Sequence, residues 1–376
     1  MTQETLARAM GALEAGQPGE ADALAREAIA EAIREHGADS PQVAATEFEH
    51  AHVLAAAGDV GGAVLAMRRA VAIPAESDDA KKHRLTYLMN LGEALIHFDR
   101  LDEAESILTE GALERRTIYG PDHPGYAFGL EPLVDLLLVR NRHQEARAAA
   151  EEVLSLFWRH GHRRVANALV LFAYATKAFD GPTAPGLERL YALPAELVVE
   201  VVVGCLARAQ KLDPAVGLAV LNELMIRART AKDEDEPWFM HVVAAVSRLA
   251  RKTADHAARE DALAWLITRF DAIDDRRQAL DSVLARALAR SEADDHATAE
   301  TCYRDALSRA EAIGDPLARS RALKSFGAWL DERARPREAA VVLEEAVALA
   351  ERADPDDPFR AETLEKARAA LLAHAN

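Results

Sequence analysis

Along most of this chain, apolar residues recur at i, i+3, i+4 and i+7, the spacing of one helical face. The segment from Leu85 to Ile118 is the clearest. Leu88, Leu91, Gly92 and Leu95 predict the inner face of a first helix, Asp99-Arg100-Leu101 a turn, and Ala104, Leu108 and Gly111 the facing stripe of a second. Small residues at 92, 104 and 111 let the two helices approach closely. Large ones at 88, 95 and 108 fill the space between. The predicted product is an antiparallel helix pair joined by a short turn.

The pair recurs. GQPGEA (Gly16 to Ala21), GDVGGA (Gly58 to Ala63), DRLDEA (Asp99 to Ala104) and NRHQEA (Asn141 to Ala146) all end in alanine, at steps of 42, 41 and 42 residues. A fixed step of this size with helical sequence on both sides is the mark of a stacked helical repeat. The same offsets select Ala51, Leu54, Gly58, Ala63, Met67 and Ala70 upstream, and Leu130, Leu133, Leu137, Ala146 and Val153 in the next unit. They return as Val283, Ala287, Ala299, Tyr303 and Ala306, then as Leu323, Phe326, Gly327, Leu330, Ala339, Leu343 and Ala346, with a step of 40 from Ala299 to Ala339. Two loops between repeats also read alike, HGADSPQVA from His36 and YGPDHPGYA from Tyr119. Gly37 and Gly120 stand where a helix end needs positive φ, and Pro41 and Pro124 pre-set the next helix start.

This order of large residue, Leu, small, large, Ala, large and Ala resembles the tetratricopeptide repeat. The 42-residue period and the GPDHP loop resemble its kinesin-light-chain-like subclass. The resemblance covers about 1–160 and 278–352. It implies an all-α, right-handed α-solenoid of about eight to nine stacked antiparallel helix pairs that binds a peptide or protein segment on its concave face. The expected organisation is four regular repeats over 1–160, degenerate helical repeats over 161–277, two repeats over 278–352, and a capping helix over 353–376. Within the middle, helices are predicted at Arg164–Phe179, Ala195–Gln210, Ala215–Arg229, Trp238–Thr253 and Glu260–Phe270. Gly181 to Gly186 is a break and Lys232 to Pro237 an exposed acidic turn. A hinge near 180–194 is the alternative to a continuous stack.

Composition agrees with an almost entirely helical protein: aromatics are 5% of the 376 residues and charged residues 28%, with mixed signs along the chain. The net charge of -17 disfavours nucleic acid and anionic lipid and favours a basic or neutral partner. Two distant cysteines, Cys205 and Cys302, imply no disulfide framework and a reducing compartment. The first residues carry no secretory h-region, and Leu197 to Ala207 is too short to span a bilayer and contains Glu200. A cytoplasmic location is expected, and a homo-oligomer is compatible with the pattern.

Candidate chemistry is sparse. HExxH, GxSxG, CxxC and GxGxxG are absent, and the Gly181/Gly186 pair is followed by Leu187-Glu188 where a phosphate loop needs Lys and Ser/Thr. The expected protein is not an enzyme and needs no cofactor or metal. The groove positions of the first helices hold Phe48, Glu49 and His52, then Met89, Asn90, Glu93 and His97, then Glu131 and Asp135, and near the C-terminus Arg321 and Lys324 beside Ser325. The resemblance implies cationic and amide clamps at such places, and only Asn90 fits that pattern in the first half. The first half therefore reads as an acidic groove for a basic or amphipathic segment, and the last part as partly basic and suited to an acidic one. Arg159, His162, Arg163 and Arg164 form one dense basic cluster, a candidate anion contact or a helix end whose cations complement the dipole. Other readings of the same residues are a ligand-responsive regulatory subunit of an enzyme or defence-type effector, and a metal-dependent enzyme using the His/Glu positions.

Overall fold

A computed structural model of the chain describes residues 2–177, 185–231 and 236–375. Among them every regular element is a helix, and no strand occurs. The break at Gly181 and most of the acidic turn after Lys232 lie outside the described residues. So do residues 180–184 of the 180–194 segment.

The chain divides into two compact units, Met1–Leu190 and Tyr191–Asn376. The first holds α1 (Thr2–Glu14), α2 (Pro18–His36), α3 (Pro41–Ala56), α4 (Val60–Ala72), α5 (Asp78–His97), α6 (Leu101–Tyr119), α7 (Pro124–Val139), α8 (His143–Arg159) and α9 (Val165–Ala175). The short α10 (Pro185–Tyr191) lies at the division. The second holds α11 (Val198–Arg208), α12 (Pro214–Ala231), α13 (Pro237–Lys252), α14 (His256–Ala272), α15 (Arg276–Glu292), α16 (His296–Ile313), α17 (Pro316–Glu332), α18 (Pro336–Arg352) and α19 (Arg360–Ala375). The helix expected to run to Phe179 stops at Ala175, because Lys177 turns into the left-handed region at φ 52°.

One turn closes nearly every pair. Gly16, Gly58, Asp99 and Asn141 take positive φ, between 59° and 82°. The next residue donates its N–H five residues back, as in Asp59 to Leu54 O at 2.8 Å, Arg100 to Leu95 O at 2.9 Å and Arg142 to Leu137 O at 2.9 Å. This is the Schellman closure, and the same residue then accepts the first bond of the following helix. Ala63, Ala104 and Ala146 donate to Asp59, Arg100 and Arg142. Each of these alanines is buried, and each allows the second helix to lie against the first.

In the second unit the positive-φ positions follow one another at a slightly shorter step. Positive φ recurs at Ala254, Asp274, Asp294, Gly314 and Ala334, a constant step of 20 residues. The turn between pairs and the turn within them are therefore equally spaced, and the repeat is 40 residues rather than 42. At α14 the alanine position is taken by Arg259, which is 4% exposed and pairs its guanidinium with Glu292 of α15.

From α1 to α9, and again from α11 to α19, consecutive helices pack on one another. In addition α1 touches α3, α3 touches α5, α5 touches α7 and α7 touches α9, and in the second unit α15 touches α17 and α17 touches α19. The odd-numbered helices thus share one face of each stack. Leu54, Met67, Leu91, Leu95 and Leu108 form one core cluster of the first unit, and Val283, Tyr303, Phe326 and Leu330 one of the second. Trp329 joins the latter and donates its indole N–H to the Ser291 hydroxyl at 3.0 Å.

Candidate functional site

The groove residues expected in the first unit sit on three successive odd-numbered helices: Phe48, Glu49 and His52 on α3, Met89, Asn90, Glu93 and His97 on α5, and Glu131 and Asp135 on α7. Phe48 is held by rings on both sides, 4.6 Å from Tyr87 and 4.6 Å from His52. Burial, with the nearby charge of Glu49, pushes the Tyr87 phenol above its ordinary pKa. Asn90 donates its amide to Thr86 O one turn earlier at 2.9 Å.

Glu131 stands apart from the other groove positions. It is 4% exposed and accepts from Arg164 Nε at 2.8 Å and Asn167 Nδ2 at 2.6 Å. It therefore ties α7 to the start of α9. The same bond engages Arg164, whose guanidinium also lies 5.5 Å over the Phe128 ring. Of the other basic-cluster residues, Arg159 donates to Asp122 at 3.1 Å and His162 stacks on Phe157 at 4.9 Å, while Arg163 is exposed.

The second unit contains a groove of about 500 Å³ between α15, α17 and α19. This is in the size range of ligand pockets. Arg321 and Lys324 both line it. Most of its polar groups are already engaged. Arg321 reaches Asp281 at 3.3 Å, Arg277 donates to Asp315 at 3.0 Å, and Lys366 pairs with Glu362. Ser320 donates to Ala346 O at 2.6 Å, Ser325 to Arg321 O at 3.0 Å, and Asp357 accepts the Phe359 N–H at 2.8 Å.

Lys324 is the exception. It is half-buried, and among the described residues no carboxylate pairs with it. Burial, together with the neighbouring charges of Lys366 and Arg321, holds its pKa below the ordinary lysine value. Across the groove, burial pushes the Asp281 carboxyl up against the opposing pull of Arg321. Phe359 is 65% exposed and forms part of the lining.

Asp281, Phe359 and Lys366 belong to this groove and were not singled out by the sequence pattern. The C-terminal helix reads in sequence as a cap, and α19 packs on both α17 and α18. One signal was present: Lys366 follows Lys324 by 42 residues, the repeat step of the first unit.

A second cavity, of about 210 Å³, lies between α3 and the start of α5 and is lined by Ala44, Ala70, Ile73 and Tyr87. Its one arginine, Arg84, is bound by Glu110 and Glu114. Among the described residues no group of three His, Cys, Asp or Glu side chains is placed to hold a metal ion, and no helix is long and apolar enough to cross a membrane. Both cysteines are buried, and burial pushes the Cys205 thiol up to about 12.

A family model, the tetratricopeptide repeat, matches residues 83–157. No curated protein matches the chain. Among solved structures, a kinesin light chain of Podosopora anserina with nearly identical TPR-like repeats is 22% identical over 55% of this chain and 95% of its own, with a TM-score of 0.40. The apo form of RapI is 10% identical over 98% of this chain and 97% of its own, with a TM-score of 0.41. A signal-transduction ATPase of Pyrococcus horikoshii with a tetratricopeptide-repeat sensor is 11% identical over 99% of this chain and 48% of its own, with a TM-score of 0.43. Proteins built of such repeats are generally scaffolds for protein interaction. The family match falls on α5 to α8, whose turns and buried alanines are those described above, so these four helices carry tetratricopeptide repeats.

Proposed function

We propose that this chain is a non-catalytic scaffold that takes a segment of a partner protein on the odd-helix face of its second unit. The observation that carries this reading is the groove between α15, α17 and α19, where a half-buried lysine lacks a carboxylate. Its residues come from three separate helices, so the stack must be folded for the site to exist. Extended repeat surfaces bind through a few such anchors. Filling the groove tests the idea. Partners captured by the full chain and identified by mass spectrometry are expected to be lost with Ser325→Trp, which places an indole among the lining residues. A partner retained in full by that variant, with its helical circular dichroism unchanged, overturns the assignment.

The acidic positions Glu49, Glu93 and Asp135 on α3, α5 and α7 support a second contact, with a basic segment. Charge reversal by Glu93→Lys with Asp135→Lys is expected to weaken that contact about tenfold. Unchanged affinity for the captured partner removes it.

A further inference from the structure

The first unit carries a cavity that the repeat pattern does not call for, separate from the groove of the second unit. Its origin is a shortened helix. α4 spans 13 residues, whereas α2 and α6, the second helices of the neighbouring pairs, each span 19. Pro74 ends α4 early. The residue before a proline is driven out of the helical region, and Ile73 is extended at φ -68° and ψ 129°. In the next repeat the longer α6 supplies Arg115 and Tyr119, whose side chains close on α7 at Gly129 and Gly125. Pro74 stands in the place of Arg115, each 11 residues after the alanine of its pair. The turns that α4 lacks leave an open cavity of about 210 Å³ between α3 and α5.

The walls of this cavity are mostly apolar. Ala44, Ala70 and Tyr87 form a small core cluster with Ile73 and Phe48 packed against it. The charged groups of the lining are already engaged. Arg84 donates to Glu110, to Glu114 and to the Val71 carbonyl, and Asp79 faces His83 at 3.6 Å. One buried polar group is left over. Tyr87 is 5% exposed, and among the described residues its hydroxyl has no hydrogen-bond partner. A buried hydroxyl without a partner costs stability. Burial and the charge of Glu49 raise the phenol pKa, so the group stays an O–H donor at neutral pH.

These features select a kind of ligand. With Arg84 and Asp79 engaged, the lining offers no charge to an ion, and a neutral molecule fits best. An apolar cavity of about 150 Å³ is enough to hold benzene. The larger volume here admits one ring with a short substituent, and an oxygen on that substituent satisfies the phenol. We propose that the cavity between α3, α5 and the end of α4 binds a small neutral molecule of single-ring size, with its apolar body against Ala44, Ala70 and Ile73 and its oxygen accepting a hydrogen bond from the Tyr87 hydroxyl.

The test titrates the full chain with acetophenone, toluene and benzoate, followed by saturation-transfer NMR on the small molecule. Acetophenone, which is neutral and carries a carbonyl, is expected to bind with a dissociation constant of about 1 mM or tighter, and more tightly than toluene or benzoate. Tyr87→Phe removes only the unpartnered hydroxyl. It is expected to weaken acetophenone about fivefold and to leave toluene unchanged. Ala44→Leu and, on the loop, Ala75→Leu each place a larger side chain in the cavity and are expected to abolish binding of both neutral probes. A filling variant is scored only where its thermal melt by circular dichroism matches the wild type, and Tyr87→Phe serves as the check where neither does. No binding of acetophenone up to about 10 mM overturns the proposal. So does binding of benzoate as tight as that of acetophenone, or an affinity for acetophenone that Tyr87→Phe leaves unchanged.

Discussion

Seven non-glycine residues among those described take positive φ, and they differ in what that costs them. Asp99, Asn141, Asp274 and Asp294 are residues whose short polar side chains tolerate the left-handed region, whereas Ala254 and Ala334 sit there at φ 55° with nothing to compensate. Ala334→Gly and Ala254→Gly are each expected to stabilise the protein by about 1 kcal/mol, read as a higher urea midpoint at unchanged slope. Gly120 is the opposite case. At φ 86° and ψ 160° it occupies a region open almost only to glycine, and Gly120→Ala is expected to cost about 1–3 kcal/mol by the same measurement. The sequence disclosed the glycines and the Asp/Asn turns because composition marks them. It concealed Ala254 and Ala334, since alanine carries no signal for a left-handed turn. The cysteines allow a further check. Burial holds both thiols protonated, so neither is expected to react with Ellman's reagent at about pH 8 until the chain unfolds.

Between the helices of a pair, the small positions divide into two kinds. A Cβ on Gly92 would lie 2.2 Å from a methyl of Leu108, and one on Gly327 would lie 2.7 Å from Leu343 Cγ. These are equivalent places in α5/α6 and α17/α18, where a leucine fills the hollow that the glycine leaves. Gly327→Ala is expected to destabilise by about 1–3 kcal/mol, and the shorter side chain of Leu343→Ala in the double variant should leave a coupling energy in a mutant cycle. Gly111 differs, because the nearest atom to its added Cβ would be Leu88 Cβ at an ordinary 3.5 Å. Gly111→Ala should be neutral or gain up to about 1 kcal/mol of helix propensity. The pattern of small and large residues was visible in the sequence, but these two glycines looked alike there. Their difference is a matter of interhelical distance.

Across the whole molecule, arginine–carboxylate pairs join helix to helix. Glu260 accepts from Arg286 at 2.8 Å and pairs with Arg290, and Glu47 accepts from Arg69 at 2.8 Å and lies near His50. Burial pushes both carboxyls up, but the hydrogen bonds and cations outweigh it, and both end below the ordinary glutamate value. A carboxylate with a lowered folded pKa contributes stability that is present above its unfolded pKa. That stability is lost as the pH falls through 4.5, the ordinary value, toward the folded one. Urea stability is therefore expected to fall steadily below about pH 5, and Glu260→Gln should flatten that slope while costing about 1 kcal/mol at neutral pH. An acid profile unchanged by Glu260→Gln would remove this pair from the account.

Local physics decided what could be read from the chain alone. Helix periodicity, turn-forming residues and a small-residue code act over neighbours in sequence, so the helix pairs, their turns and their step were legible from Leu88, Asn141 or Ala339 without a structure. Tertiary structure decided which of the resulting surfaces carry unspent chemistry. Glu131 and Arg164 looked like a groove acid and an anion contact, but packing brings them together 33 residues apart in sequence and each satisfies the other. Lys324 looked like one of several cations. Only the arrival of α19, with Lys366 and Phe359, surrounds it with like charge and leaves it half-buried beside a ring. Repeat spacing marks the face of a helix on which a residue lies, whereas the charge it meets depends on helices folded against that face.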